Sequence, residues 1–281
     1  TLTLSGGTVG GGSGSTSDTV WTYTFTPTDA DESVTIDVGA GAITDSAGNV
    51  NTATPSQFAF THDATAPTAS AVTIAVSGTG NANNGDVVTL TIYPSEVIGA
   101  PTCTWTDGSG AMEDTSVTYA TVADTDHHTA AVTVADADQD GTVGFSCTFS
   151  DLAGNAVAYA VTALTGGSAI TIDNTHPTIS AVTAAWGTHL NAVEDNSAGT
   201  VTVTTSGAAD GQTVTTTING VTDTCSVSSN SCAVTVAASD LQALTSGTTY
   251  TIAADVSDAA GNAATQNTGT SFVYDSVEPT I

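Results

Sequence analysis

The chain has 281 residues, among them 28 acidic residues and neither lysine nor arginine, so its formal net charge is −28. The lack of basic side chains excludes nucleic acids, phosphate-bearing substrates and anionic membrane surfaces as charge-driven partners. Apolar residues make up 40% of the chain, which is enough to form a core. Abundant Thr and Val, whose branched side chains favour strands, predict an all-β protein.

Short runs in which apolar residues alternate with polar ones predict strands with one buried and one solvated face. In chain order, the alternating positions are Trp21, Tyr23 and Phe25; Val34, Ile36 and Val38; Val72, Ile74 and Val76; Val88, Leu90 and Ile92; Phe145, Cys147 and Phe149; Val201 and Val203; Val234 and Val236; and Tyr250 and Ile252. Clusters of Gly, Asn, Asp and Ser separate the runs. This pattern predicts β-sandwiches rather than a βαβ fold.

Two coupled motifs occur three times along the chain. The turn motif Asp-x-Ala-Gly-Asn occupies 45–49, 151–155 and 258–262, and a linker motif Asp-x-x-x-Pro-Thr follows at 63–68, 173–178 and 275–280. Successive copies are separated by about 100 residues, which matches the length of one β-sandwich domain. Glycine supplies positive φ in a tight hairpin turn before the last strand, and proline ends strand pairing.

These motifs predict three domains, at 1–66, 67–176 and 177–281. The second domain extends from its linker proline at position 67 to its turn aspartate at 151, and the third extends similarly from 177 to 258. The stretch of chain before Asp45 is only about half as long as these intervals. The first domain is therefore expected to lack its first strands, which preceding chain or a neighbouring subunit would supply. We expect the chain to be part of a longer array.

The turn motif followed by a linker such as Asp-x-Thr-x-Pro-Thr resembles the tandem immunoglobulin-like repeats of giant bacterial surface adhesins, most closely in 177–281. The resemblance implies an extended, rod-like stalk on the cell surface, with structural Ca²⁺ at the junctions between domains and neighbouring domains as partners. Such repeats usually lack cysteine, whereas this chain has four. An alternative is therefore a subunit of an extracellular filament or surface hair, in which a neighbouring copy completes the first domain.

Acidic side chains near the linkers are the candidate calcium ligands, because Ca²⁺ prefers six to eight oxygen ligands. The candidate pairs are Asp45 with Asp63, Asp151 with Asp173, and Asp258 with Asp275. A separate cluster, Asp136, Asp138 and Asp140, is similar to the start of an EF-hand loop, but Cys147 stands where that loop needs a glutamate. Turn and cap formation is the alternative role for all of these aspartates.

The four cysteines predict two disulfides, Cys103–Cys147 and Cys225–Cys232, and hence an extracellular, oxidising location. Cys225 and Cys232 flank a short polar stretch that is typical of a hairpin loop, so this disulfide is expected to join the two strands of a hairpin. Buried free thiols are the alternative for Cys103 and Cys147. No apolar run reaches the roughly 18 residues that span a bilayer, so no direct membrane contact is expected.

No catalytic motif emerges, so the chain is not expected to be an enzyme. His127 and His128 are interpreted as loop residues, and no nucleophile elbow or phosphate loop is present. A carbohydrate-binding module is a third hypothesis, which would require an aromatic patch on one sheet face. Exposed Thr and Ser residues could carry glycans.

Overall fold

Nearly all of the regular secondary structure is β-strand, and most of the strands are antiparallel. The structure is a computed structural model that describes residues 2–13, 20–28, 31–52, 58–122 and 127–281. We refer to residues 1–66, 67–176 and 177–281 as the first, second and third segments. Every β-ladder among the described residues joins strands of the same segment.

The first segment has five described strands: β1 (Leu2–Ser5), β2 (Gly7–Val9), β3 (Phe25–Pro27), β4 (Glu32–Val38) and β5 (Phe58–His62). Strands β1, β4 and β5 form one antiparallel sheet, and β2 pairs with β3. Within the described part of this segment, Val34 is the one apolar side chain that is fully buried. Phe25 packs edge-on against Phe60, with ring centroids 5.9 Å apart, while Phe58 remains 63% exposed. The apolar face of this sheet is therefore incompletely covered.

The described part of the second segment contains eight strands: β6 (Ala69–Val76), β7 (Val87–Pro94), β8 (Thr102–Thr106), β9 (Thr118–Val122), β10 (His127–Thr133), β11 (Gly141–Thr142), β12 (Gly144–Thr148) and β13 (Thr171–Ile172). One sheet has the order β6-β7-β10-β9, while β8 pairs with β12 and β11 with β13. Val72 and Leu90 of the first sheet pack in one core with Trp105 and Phe145 of the β8–β12 pair.

The third segment contains β14 (Thr178–Ala184), β15 (His189–Asn191), β16 (Gly199–Ser206), β17 (Thr213–Ile218), β18 (Val221–Ser226), β19 (Ser231–Val236), a short helix α1 (Ala238–Gln242), β20 (Thr248–Val256) and β21 (Asn267–Asp275). The sheets β14-β16-β19 and β15-β21-β20-β17-β18 enclose one core, which includes Val203, Ile252 and Phe272. Asn219 and Gly220, both at positive φ, form the tight β17–β18 turn. Two sheets face to face around a shared core form an immunoglobulin-like sandwich.

Most predicted strands are present, with two differences. His127 and His128 lie in β10 and not in a loop, because their neighbours pair with β7 and β9 on both sides. The run predicted from Trp21 becomes a strand only at Phe25, and Trp21 itself is 46% exposed.

Candidate functional site

The turn motif is a self-contained hydrogen-bonded unit. In the third segment the Asp258 Oδ1 accepts the backbone N–H groups of Ala260, Gly261 and Asn262 at 2.9–3.0 Å, and the Asn262 Nδ2 donates to Asp258 Oδ2 at 3.0 Å. The glycine has a φ of 100°, which only glycine adopts at little cost. These contacts explain why Asp, Gly and Asn occupy fixed positions in each copy. The predicted hairpin turn is confirmed.

The asparagine of the turn also binds the linker that precedes its own segment. The Asn155 Nδ2 donates to the backbone carbonyl of Asp63 at 3.0 Å, and the Asn262 Nδ2 donates to the carbonyl of Asp173 at 2.7 Å. Asn262 is only 4% exposed. One amide group therefore holds the turn closed and attaches it to the end of the preceding segment.

The structure pairs the turn and linker aspartates differently from the sequence-based expectation. Asp63 lies beside Asp151, the turn aspartate of the next segment, and not beside Asp45. In the same way, Asp173 lies at the turn that contains Asp258. The reason is the last strand of each sandwich: β21 has nine residues, so the turn before it and the linker after it are about 30 Å apart, at opposite ends.

The preceding segment holds the same linker through an aspartate whose role sequence analysis did not identify. Asp140 accepts the backbone N–H of Asn174 at 2.6 Å and the hydroxyl of Thr175 at 2.5 Å. Asp31 makes the equivalent bonds to Ala64, at 2.7 Å, and Thr65, at 2.5 Å. This contact explains the threonine of the Asp-x-Thr linker. A sequence signal existed, since the two aspartates precede their linkers by nearly the same interval.

At the first linker, these donors stabilise the ionised form of Asp31. The Thr65 hydroxyl, followed by the N–H of Ala64, lowers the pKa of Asp31 below its ordinary value. The third linker lacks the threonine, because Val277 takes its place, and there the N–H of Ser276 donates to the Ser246 hydroxyl at 2.9 Å. The third linker thus replaces the aspartate–threonine contact by a bond to a serine hydroxyl.

The two junctions differ in charge. At the first junction Asp63, Glu96 and Asp151 each contribute one carboxylate oxygen to a group whose atoms lie within 4.8 Å of one another. Burial, and then the negative charges of Asp63 and Asp151, raise the pKa of Glu96 above its ordinary value. The chain contains no lysine or arginine that could neutralise this group.

The second junction does not repeat this cluster. Ala69 and Ile179 each lie two residues after the proline of their linker, and they pair with Pro94 and Thr205, respectively. Two residues farther along the partner strands, Gly207 therefore occupies the place of Glu96. A neutral contact is present instead, in which His176 Nδ1 lies 2.8 Å from the carbonyl oxygen of Ala263. Glu96 was missed at the sequence level because it lies outside both repeated motifs.

The EF-hand-like cluster is not brought together in the structure. The Asp138 carboxylate accepts the N–H groups of Glu113, at 2.7 Å, and Ala135, at 2.8 Å, and is 2% exposed. Asp140 faces the linker, as described above. Among the described residues, Asp136 joins no group of acidic side chains that could hold an ion. Asp138 and Asp140 thus bind backbone, which matches their alternative role as turn and cap residues.

Both predicted disulfides are present. Cys103 and Cys147 are direct partners in the β8–β12 pair, with Cα atoms 4.1 Å apart. Cys225 and Cys232 were expected to join paired strands of a hairpin, but β18 and β19 lie in different sheets, so this bridge joins the two sheets of the third segment.

Comparison with known families finds a match in the first segment. Residues 1–61 match the model of a family described as a bacterial Ig-like domain. No curated protein sequence matches the chain. No helix among the described residues is long and apolar enough to cross a membrane.

Solved structures similar to this chain include two adhesins. One, described as a Ca²⁺-stabilised adhesin that helps an Antarctic bacterium bind ice, is 26% identical over 98% of this chain and 64% of its own, with a TM-score of 0.47. The present chain thus spans less than two thirds of it. A 1.5-MDa bacterial ice-binding adhesin is 23% identical over 99% and 86% of the two chains, with a TM-score of 0.44. A marsupial T cell receptor is 14% identical over 74% and 75%, with a TM-score of 0.43.

Proposed function

We propose that this chain is a rigid spacer of an extracellular surface protein, in which successive immunoglobulin-like domains are held end to end as a rod. The observation that carries the proposal is the double attachment of each linker. At the second junction, Asp140 of the preceding segment binds the linker at Asn174 and Thr175, and Asn262 of the following segment binds it at Asp173. A linker held from both sides leaves little freedom for a hinge.

The same arrangement recurs at the first junction with Asp31, Thr65 and Asn155. Repetition of one joint along the chain is what a spacer requires, because its length and stiffness then grow with the number of segments. The two disulfides support placement of this spacer in an oxidising, extracellular compartment.

The first junction is also the candidate structural calcium site. Asp63, Glu96 and Asp151 would be the protein ligands, and a bound Ca²⁺ would neutralise three carboxylates that otherwise repel each other. A shared ion would add a further connection between the first linker and the second segment. The second junction, with Gly207 in place of Glu96, is not expected to bind calcium.

Calcium titration of the full chain, followed by differential scanning calorimetry, tests this assignment. We expect Ca²⁺ to raise the unfolding temperature of the wild type but not that of Glu96→Gln. Glu278→Gln is the matched control, because Glu278 is exposed and lies outside the cluster. In EDTA at neutral pH, Glu96→Gln should be the more stable chain, because it removes one of the repelling charges. An equal calcium response in both variants would refute the assignment.

A filament subunit is the second candidate function, and the first segment favours it. Its sheet leaves Phe58 63% exposed, and a neighbouring chain could cover this apolar face. Electron microscopy of the concentrated chain separates the two functions. Helical filaments that disappear in Phe58→Asp support the filament, whereas isolated rods support the spacer.

A further inference from the structure

The stretch of chain from the turn motif to the end of the second segment is longer than its counterpart in the third. Gly141 and Thr248 each lie ten residues before the turn aspartate of their segments. Gly141 pairs with Ile172, and Thr248 pairs with Tyr274. Counted from the turn aspartate of its own segment, Ile172 lies five residues farther along the chain than Tyr274. The second segment therefore accommodates five additional residues between its turn and this pairing.

Part of the excess forms a bulge that carries an exposed aromatic side chain. The N–H of Val157 donates to the carbonyl of Phe149 at 2.9 Å, and Val161 exchanges both backbone bonds with Cys147, at 2.8 and 3.0 Å. In a regular ladder, the partner of Cys147 would be two residues after Val157. Instead the three residues 158–160 protrude, and Tyr159 is 86% exposed.

The rest of the excess closes back on β6 and leaves a groove. The N–H of Thr165 donates to the carbonyl of Val72 at 3.0 Å, and its hydroxyl accepts the N–H of Val72 at 2.8 Å. Between this attachment and the bulge lies a groove of about 380 Å³, whose mainly apolar lining includes Pro67, Val157 and Val161. The groove is large enough for an aromatic side chain.

The two stretches of chain that line the groove carry no charge. Residues 64–85 and 152–172, which supply all of its lining, contain no acidic residue in a chain that has 28 of them. Leu152, in the adjoining turn, is 78% exposed. Two copies of a chain with a net charge of −28 repel each other, so they can approach most easily through surfaces without carboxylates.

We propose that this groove binds Tyr159 of a second copy of the chain, so that two copies associate reciprocally through their second segments. A two-fold interface requires one surface patch that is complementary to itself. Here the protruding aromatic side chain and the apolar groove belong to the same patch. Tyrosine in a pocket is a frequent anchor of protein interfaces. In the proposed spacer, this contact would join neighbouring rods side by side.

The contact is small, so its strength should be modest and should depend on salt. A buried tyrosine contributes about 150–250 Å² on each side, which places the interface in the weak, transient class. Salt screens the repulsion between the two acidic chains, so association should become stronger as ionic strength rises. A contact based on ion pairs would become weaker.

Sedimentation equilibrium of the full chain in EDTA, at low and at high NaCl concentration, tests the proposal. We expect a monomer–dimer equilibrium that is stronger at high salt and that Tyr159→Asp weakens by at least about 30-fold, the effect of losing an interface hot spot. Thr162→Asp, a change in the groove lining, should weaken it comparably. The control is Val193→Asp, at an apolar side chain that is 81% exposed in the third segment, which should leave the dimer unchanged.

The alternative results are equally informative. A chain that stays monomeric at high protein and high salt concentration would overturn the proposal. So would a dimer that persists in Tyr159→Asp but disappears in Phe58→Asp, because it would place the contact on the first segment. Tyr159→Phe keeps the ring and should keep the dimer, which separates loss of the contact from misfolding.

Discussion

Replacing Asn262 by alanine should disconnect the third segment from the linker that precedes it. The side-chain amide makes two hydrogen bonds from a buried position, one to the carbonyl of Asp173 and one to the ionised Asp258. A neutral hydrogen bond contributes about 1 kcal/mol and one to a charged group about 1.5–3 kcal/mol, so the variant should lose about 2–4 kcal/mol. For a domain of this size that loss lowers the unfolding temperature by about 10–20 °C.

The first segment provides a matched control for this variant. Asn49 occupies the same place in its turn, is exposed and donates to Asp45 at 2.9 Å, with no bond to a linker among the described contacts. Because water can replace this exposed hydrogen bond, Asn49→Ala should cost less than about 1 kcal/mol, although its acceptor is charged. Differential scanning calorimetry of the full chain measures both variants. Equal shifts in the two would refute the claim that the asparagine acts at the junction.

Three further predictions concern single features of the fold. Asp140→Asn loses one acceptor for two linker donors and should destabilise the chain by about 1–3 kcal/mol, measured by urea unfolding; no change would contradict the linker contact. The N–H of Gln139 and further backbone donors hold the pKa of Asp107 at about 2. The contribution of Asp107 to stability is therefore complete above about pH 4 and is lost as the pH falls towards 2. In Asp107→Asn, the free energy of unfolding should depend less on pH within that window. Replacing Cys103 and its partner by alanine removes a disulfide with a sequence separation of 44 and should destabilise the chain by about 4 kcal/mol. The same change at Cys225 and its partner, which are separated by only 7, should cost about 2.5 kcal/mol. A lower melting temperature for the second variant than for the first would contradict this reasoning.

The sequence predicted the fold because its information is local and repeated. Alternating runs such as that of Val88, Leu90 and Ile92 mark buried strand faces directly, and the glycine of each turn motif marks a positive φ. The contacts at the junctions were harder to predict, since they depend on which end of a sandwich a turn occupies. Counting strands solves this problem in retrospect: one strand separates Asp258 from Asp275, so they cannot meet.

Some features of the site could not be read from the sequence. Glu96 reaches the first junction only because the pairing of β6 with β7, which includes a bulge, sets its position, and no repeated motif contains it. Asp31 and Asp140 lie far along the chain from the linkers that they bind, and turn aspartates are common enough to conceal them. The bulge at Tyr159 is likewise invisible until the pairing of the last strand is known.

Residual dipolar couplings of the isotopically labelled chain test the central claim that the linkers are rigid. If the linker contacts of Asp140 and Asn262 hold the second and third segments together, one alignment tensor should fit the amide couplings of both. The tensor should split into two in Asn262→Ala combined with Asp140→Asn. Two different tensors in the wild-type chain would show independent motion of the segments and contradict the account.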